Sequence, residues 1–161
     1  MIAALDPSER LSTHVTSVTK FVRFFRVAAS LEVDKQDLRR YSDFINRKVR
    51  DLLLCGEETA RANGSKVVRP YDLPITKGLH QCMAEFDRVD QQVGLSPVLD
   101  YLTARPPLML DYSEETEHQL ARLAGGLSVA VARLFKITDP DLKNPQTEHW
   151  QRAGEIFDLL L

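Results

Sequence analysis

The sequence predicts an all-α protein. Apolar residues recur at three- and four-residue intervals through most of the 161 residues, and no stretch alternates apolar and polar residues long enough to make a sheet. Cap-type residues open the periodic segments, and glycine or proline closes them.

Taken in order, Asp6-Pro7 supplies an N-cap and a first-turn proline for a short leading helix. A second segment from about Thr16 to Ser30 carries Val18, Phe21, Val22, Phe25 and Ala29 on one face, so two short helices are expected first. Asp34, with Asp37 three residues on, opens a long helix lined by Leu38, Tyr41, Ile45, Val49, Leu52 and Thr59, and Gly64 ends it. At 1.5 Å per residue this helix is roughly 45 Å long. Lys66-Val67-Val68-Arg69-Pro70 reads as an extended connector, because β-branched residues before a proline favour the β region. Asp72 then caps a helix whose apolar positions are Ile75, Leu79, Cys82, Phe86, Val89 and Val93, closed by Gly94.

The order then recurs. Ser96-Pro97 starts a short helix that Pro106-Pro107 stops. Ser113 caps a long helix with Glu114, Glu115 and Glu117 in its first turn, where the helix dipole favours negative charge. Its stripe is Leu120, Leu123, Leu127, Val131 and Leu134, and it ends near Asp139-Pro140. Asn144-Pro145 opens a final helix lined by Trp150, Ala153, Phe157 and Leu160. Short neighbours cover only the ends of a long helix, so the two long helices are expected to cross, with each half's short helices on the other's ends. Gly125-Gly126, near the middle of the second long helix, fits such a close approach. The chain reads as a single domain, 1–161, made of two halves, 1–93 and 94–161.

Composition limits the function classes. A charged fraction of 27% with 43% hydrophobic residues is that of a folded globular chain rather than a disordered one. No apolar run reaches the roughly 18 residues of a membrane span, and the first residues lack the basic and apolar regions of a secretory signal. Cys55 and Cys82 cannot make a disulfide framework, so the protein reads as cytoplasmic. The net charge of −2 conceals an asymmetry: residues 1–80 hold 14 Lys+Arg and 10 Asp+Glu, whereas residues 81–161 hold 7 and 13.

The helix order and the stretch from Thr59 to Leu73, TARANGSKVVRPYDL, resemble the histone fold. The Gly64 stop, the Lys66-Val67-Val68 connector and the Pro70-Tyr71-Asp72-Leu73 start resemble a histone's second loop and third-helix start, and Val33-Asp34-Lys35 takes the place of the first loop. The whole chain is similar to a bacterial family of uncharacterised proteins with two tandem histone folds, a pseudodimer in one polypeptide. Asp51 to Arg61 and Asp72 to Leu79 carry that match. The resemblance implies contacts to DNA phosphates from the paired loops and first helices, and with them an association with the nucleoid. Residue by residue, Lys66 matches a basic loop position. Ser65 replaces the arginine that pairs with the aspartate at Asp72, and Val67 replaces a phosphate-binding threonine, leaving only its backbone N–H. Glu32 reverses the sign of a first-loop arginine, and Asp111, Glu114, Asp139 and Asp141 make the second half's loops acidic.

The candidate DNA-binding residues are therefore Lys20, Arg23 and Arg26, which share a helix face, with Lys66 and Arg69 in the connector. Arg39, Arg40, Arg47, Lys48 and Arg50 are interleaved with Asp37, Asp43 and Asp51 and read as a salt-bridged surface. The expected partner is double-stranded DNA, held weakly and without sequence preference. The alternative is a protein-interaction module, for another protein or for self-association, motivated by the acidic second half and the apolar run Phe157-Asp158-Leu159-Leu160-Leu161. Catalysis, metal and cofactors are not expected. The four histidines fall on separate segments, Cys82 lies on an apolar stripe, and no glycine-rich phosphate loop is present.

Overall fold

The computed structural model describes residues 7–161, with side chains from Ser17 onward. Six α-helices account for most of these residues: α1 (Pro7–Ala29), α2 (Lys35–Ala62), α3 (Lys77–Val93), α4 (Ser96–Leu102), α5 (Glu114–Thr138) and α6 (Thr147–Leu160). Two two-residue strands, β1 (Val67–Val68) and β2 (Asp111–Tyr112), complete the order. The protein is all-α.

The first segment is one continuous helix rather than two short ones, since nothing between Ser8 and Ala29 is a glycine or a proline; the expected Asp6 cap lies outside the described residues. Asp34 caps α2 as the sequence requires, its carboxylate accepting the N–H groups of Gln36 and Asp37 while Asp37 reaches back to the Asp34 N–H. Asp72 does not cap α3. It ends a one-turn 3-10 helix, Pro70–Asp72, and its carboxylate accepts the Arg69 N–H at 2.8 Å, while Thr76 caps α3 through the Leu79 N–H. Gln146, rather than Asn144, precedes α6.

The core is a single cluster. Phe21, Phe24 and Phe25 are fully buried on α1, where Phe21 meets Tyr41 at 4.9 Å, Phe24 meets Phe86 at 6.1 Å and Phe25 meets Trp150 at 6.0 Å between ring centroids. Helix α5 is buried on most of its faces, with α3 lying along it as the most extensive helix pairing. Gly125 and Gly126 serve that pairing rather than the crossing of the long helices. A Cβ on Gly125 would lie 2.3 Å from the Phe86 ring, and one on Gly126 would lie 2.4 Å from Met83 Cγ, both on α3. The long helices instead meet where Tyr41 of α2 hydrogen-bonds Ser128 of α5. On α2 the buried face takes in Phe44, Leu53, Gly56 and Ala60, while Thr59 is exposed. On α6, Trp150, Ala153 and Phe157 are buried and Leu160 is exposed.

The connections between helices pair reciprocally. The connector after α2 runs parallel to the one before α5, with Val67 opposite Asp111 and Val68 opposite Tyr112. The connector before α2 meets the one after α5 through the Glu32 N–H and the Lys143 carbonyl, 2.6 Å apart. Helix α6 packs on α2, just as α3 packs on α5.

Candidate nucleic-acid interface

The five candidate cations fall into two groups. On α1 the buried phenylalanines fix the rotation of the helix and turn Arg23 and Arg26 into solvent. Lys20 is half-buried, with Nζ 3.8 Å from the point a Cβ on Gly94 would occupy. Its charge thus sits at the C-terminus of α3, where a helix dipole favours a cation.

The second group is built by the β1 connector. Gly64, in the left-handed region at φ 72°, turns the chain back after α2. Ser65 then closes a tight local network in which its Oγ donates to the Val67 carbonyl at 2.8 Å and accepts the Val67 N–H at 3.2 Å. That N–H, the one group Val67 could have offered a phosphate, is therefore taken. The Arg69 guanidinium donates to the same Ser65 Oγ at 3.0 Å. Asp72 has a backbone partner, the Arg69 N–H, in place of an arginine side chain. Val68 anchors the connector to the other half: its carbonyl accepts the Thr116 hydroxyl at 2.8 Å and the Ser113 N–H at 3.0 Å.

The structure adds Arg61, which the sequence reading did not single out. It is exposed on the last turn of α2, with Nη1 3.7 Å from Met109 Sδ. Met109 itself is held near the connector because the next residue, Leu110, donates its N–H to buried Glu57, and the Asp111 N–H donates to the Lys66 carbonyl. The signal was present as five residues of spacing between Arg61 and Lys66, but it has meaning only once Gly64 reverses the chain.

Among the described residues, Arg23, Arg26, Arg61, Lys66 and Arg69 have no carboxylate within 4.0 Å, and neither has Lys20. Of the α2 residues expected to form a salt-bridged surface, three are paired, whereas Arg39 and Arg50, like Lys35, have no carboxylate within 4.0 Å among the described residues. Arg40 pairs with Asp37, Arg47 with Asp158, and Lys48 with both Asp51 and Asp158. Lys48 is a correction to the surface reading, since only 1% of its side chain is exposed. Its hydrogen bond to Asp158, with Arg47 alongside, holds that carboxyl below the usual carboxylate range.

No group of three His, Cys, Asp or Glu among the described residues is placed to hold a metal ion. Burial pushes the Cys82 thiol pKa up, with Arg133 opposing the shift, and Cys55 is exposed on α2. No helix of the described residues is long and apolar enough to cross a membrane.

Comparison with known proteins identifies relatives. The family described as a domain of unknown function (DUF1931) matches residues 21–158. A crystal structure of a Thermus thermophilus protein is similar at 51% identity and a TM-score of 0.79, covering 89% of this chain and 97% of that one. A crystal structure of an Aquifex aeolicus protein has the same TM-score at 22% identity, over 90% of this chain and 95% of that one, which is a likeness of fold. An uncharacterized protein of Aquifex aeolicus (strain VF5) is 24% identical over 139 residues, 86% of this chain and 81% of that one.

Proposed function

Because this chain belongs to the DUF1931 family and its two halves pair reciprocally through their connectors, we propose that it is a histone-fold pseudodimer that binds double-stranded DNA weakly and without sequence preference. The observation that carries the DNA reading is the set of cations without a carboxylate partner among the described residues at the β1 connector, Arg61, Lys66 and Arg69, together with Arg23 and Arg26 on α1. Cations without carboxylate partners have no salt bridge to lose when they meet phosphate.

Opposing charges set the strength. Glu32 and Asp111 are exposed at the two connector pairings, which leaves about three to five phosphate contacts and a salt slope of about −3 to −4.5. Binding of that size is local and reversible, and one molecule does not wrap DNA.

Fluorescence anisotropy on a labelled duplex tests the assignment of residues. Lys66→Glu with Arg69→Glu, and separately Lys20→Glu with Arg23→Glu and Arg26→Glu, should weaken binding, each phosphate contact removed lowering the salt slope by about 1. Affinities equal to that of the unmodified chain in both variants would contradict it.

A further inference from the structure

Met109 is a large apolar side chain left 79% exposed between two neighbours, Leu108 and Leu110, that pack on the core. The segment that carries it is braced. Tyr112 donates its hydroxyl to the Pro106 carbonyl, closing a loop with Met109 at its centre. The Leu110 N–H donates to the buried Glu57 carboxylate at 2.9 Å, and the Asp111 N–H donates to the Lys66 carbonyl at 3.3 Å. Pro106 and Pro107 restrict the backbone further. A loop held this firmly presents Met109 at one place, and its backbone has little freedom to lose when a partner is met.

Two guanidinium groups stand near it. Arg61 Nη1 is 3.7 Å from Met109 Sδ. Ser65 and Met109 each come two residues before the paired positions Val67 and Asp111, at the same end of the ladder, and the Arg69 guanidinium reaches back to Ser65 Oγ at 3.0 Å. Neither arginine has a carboxylate within 4.0 Å among the described residues. Asp111 lies farther along the ladder, opposite Val67, so phosphate is met at the Ser65 end. Tyr71, also exposed on the connector, lines instead a hollow with Ile75, His80 and Gln119.

A thin, unbranched and polarisable side chain beside two cations is suited to parting a base step: the cations hold the phosphates, and the apolar wedge replaces the stacking that is lost. We infer that the connector is a site for locally unstacked duplex DNA, with Arg61 and Arg69 on the phosphates and the Met109 side chain entering between adjacent bases. This rests on the DNA reading and goes beyond it, because phosphate contacts alone do not tell a mispaired duplex from a paired one. A mispaired step opens at the least cost, so it is the preferred ligand. The preference concerns stacking rather than sequence.

Anisotropy of the full chain on two labelled duplexes of one sequence, fully paired and with a single central mismatch, tests it at about 50 mM salt. The mismatched duplex should bind at least about fivefold tighter, and 2-aminopurine beside the mismatch should brighten on binding as it loses its stacked neighbour. Met109→Ala should bring the two affinities together and abolish the brightening, while the salt slope stays unchanged because no charge is removed. Met109→Leu, which keeps an apolar wedge, should retain the preference. Equal affinity of the unmodified chain for the two duplexes, or a preference that survives Met109→Ala, overturns the wedge and leaves the phosphate contacts standing. No binding to either duplex overturns the DNA reading and the wedge with it.

Discussion

Tyr41 Oη lies 2.6 Å from Ser128 Oγ in the buried contact between the two long helices, 87 residues apart in the chain. Ser128 donates its own hydroxyl hydrogen to the Ala124 carbonyl at 2.7 Å, so Tyr41 is the donor in the cross-helix bond. Burial raises the tyrosine pKa far above its ordinary value, which keeps that donor protonated. Tyr41→Phe removes the bond and leaves Ser128 its other partner. It should cost about 1 kcal/mol in urea denaturation with an unchanged m-value.

The seat of α3 on α5 depends on two absent side chains. Gly125→Ala would drive a methyl into the Phe86 ring, and Gly126→Ala would meet Met83 at its Cγ and, at 3.2 Å, its backbone. Each should destabilise by about 1–3 kcal/mol, although alanine is the better helix former, because α3 must move to make room. A gain in stability from either would mean that α3 is not seated as described.

Ser30 closes α1 at φ 53°, in the left-handed region where an L side chain is disfavoured. Its N–H bonds the Arg26 carbonyl at 3.0 Å, so the geometry is that of a helix stop, for which glycine is the easier residue. Ser30→Gly should stabilise the fold by about 1 kcal/mol, read as a raised midpoint of thermal unfolding.

Asp158 fastens α6 to α2 by meeting Lys48 and Arg47. Its native pKa is depressed, chiefly by the Lys48 hydrogen bond, so its stabilising effect is full above the unfolded-state value of about 3.9 and is lost as pH falls through the native value. Asp158→Asn should therefore be less stable than the unmodified chain at neutral pH, with the two stability curves converging in acid. Curves separated by the same amount at every pH would show that the ion pair contributes nothing through its charge.

Local chemistry made much of the fold legible. Asp34 and Ser113 announce their helices because a cap acts within three residues, and Gly64 and Gly94 announce ends for the same reason. What failed depended on distant partners. Asp72 has the residue type of a cap, but the Arg69 N–H claims its carboxylate. Thr59 is exposed because the buried face runs through Gly56, over which Val68 and Leu73 pack, to Ala60 four residues on. Lys48 resembles any surface lysine until Asp158, 110 residues away, is brought to it. The candidate cations were visible as residue types, whereas the approach of Arg61 to Met109 follows from the register of β1 on β2.

DNA binding is tested most directly by titrating labelled double-stranded DNA with the full chain at several salt concentrations. Measurable binding is expected at about 50 mM salt, with log K falling against log salt at a slope of about −3 to −4.5 and no dependence on sequence. No binding at tens of micromolar protein at about 50 mM salt, or binding indifferent to salt, would contradict it.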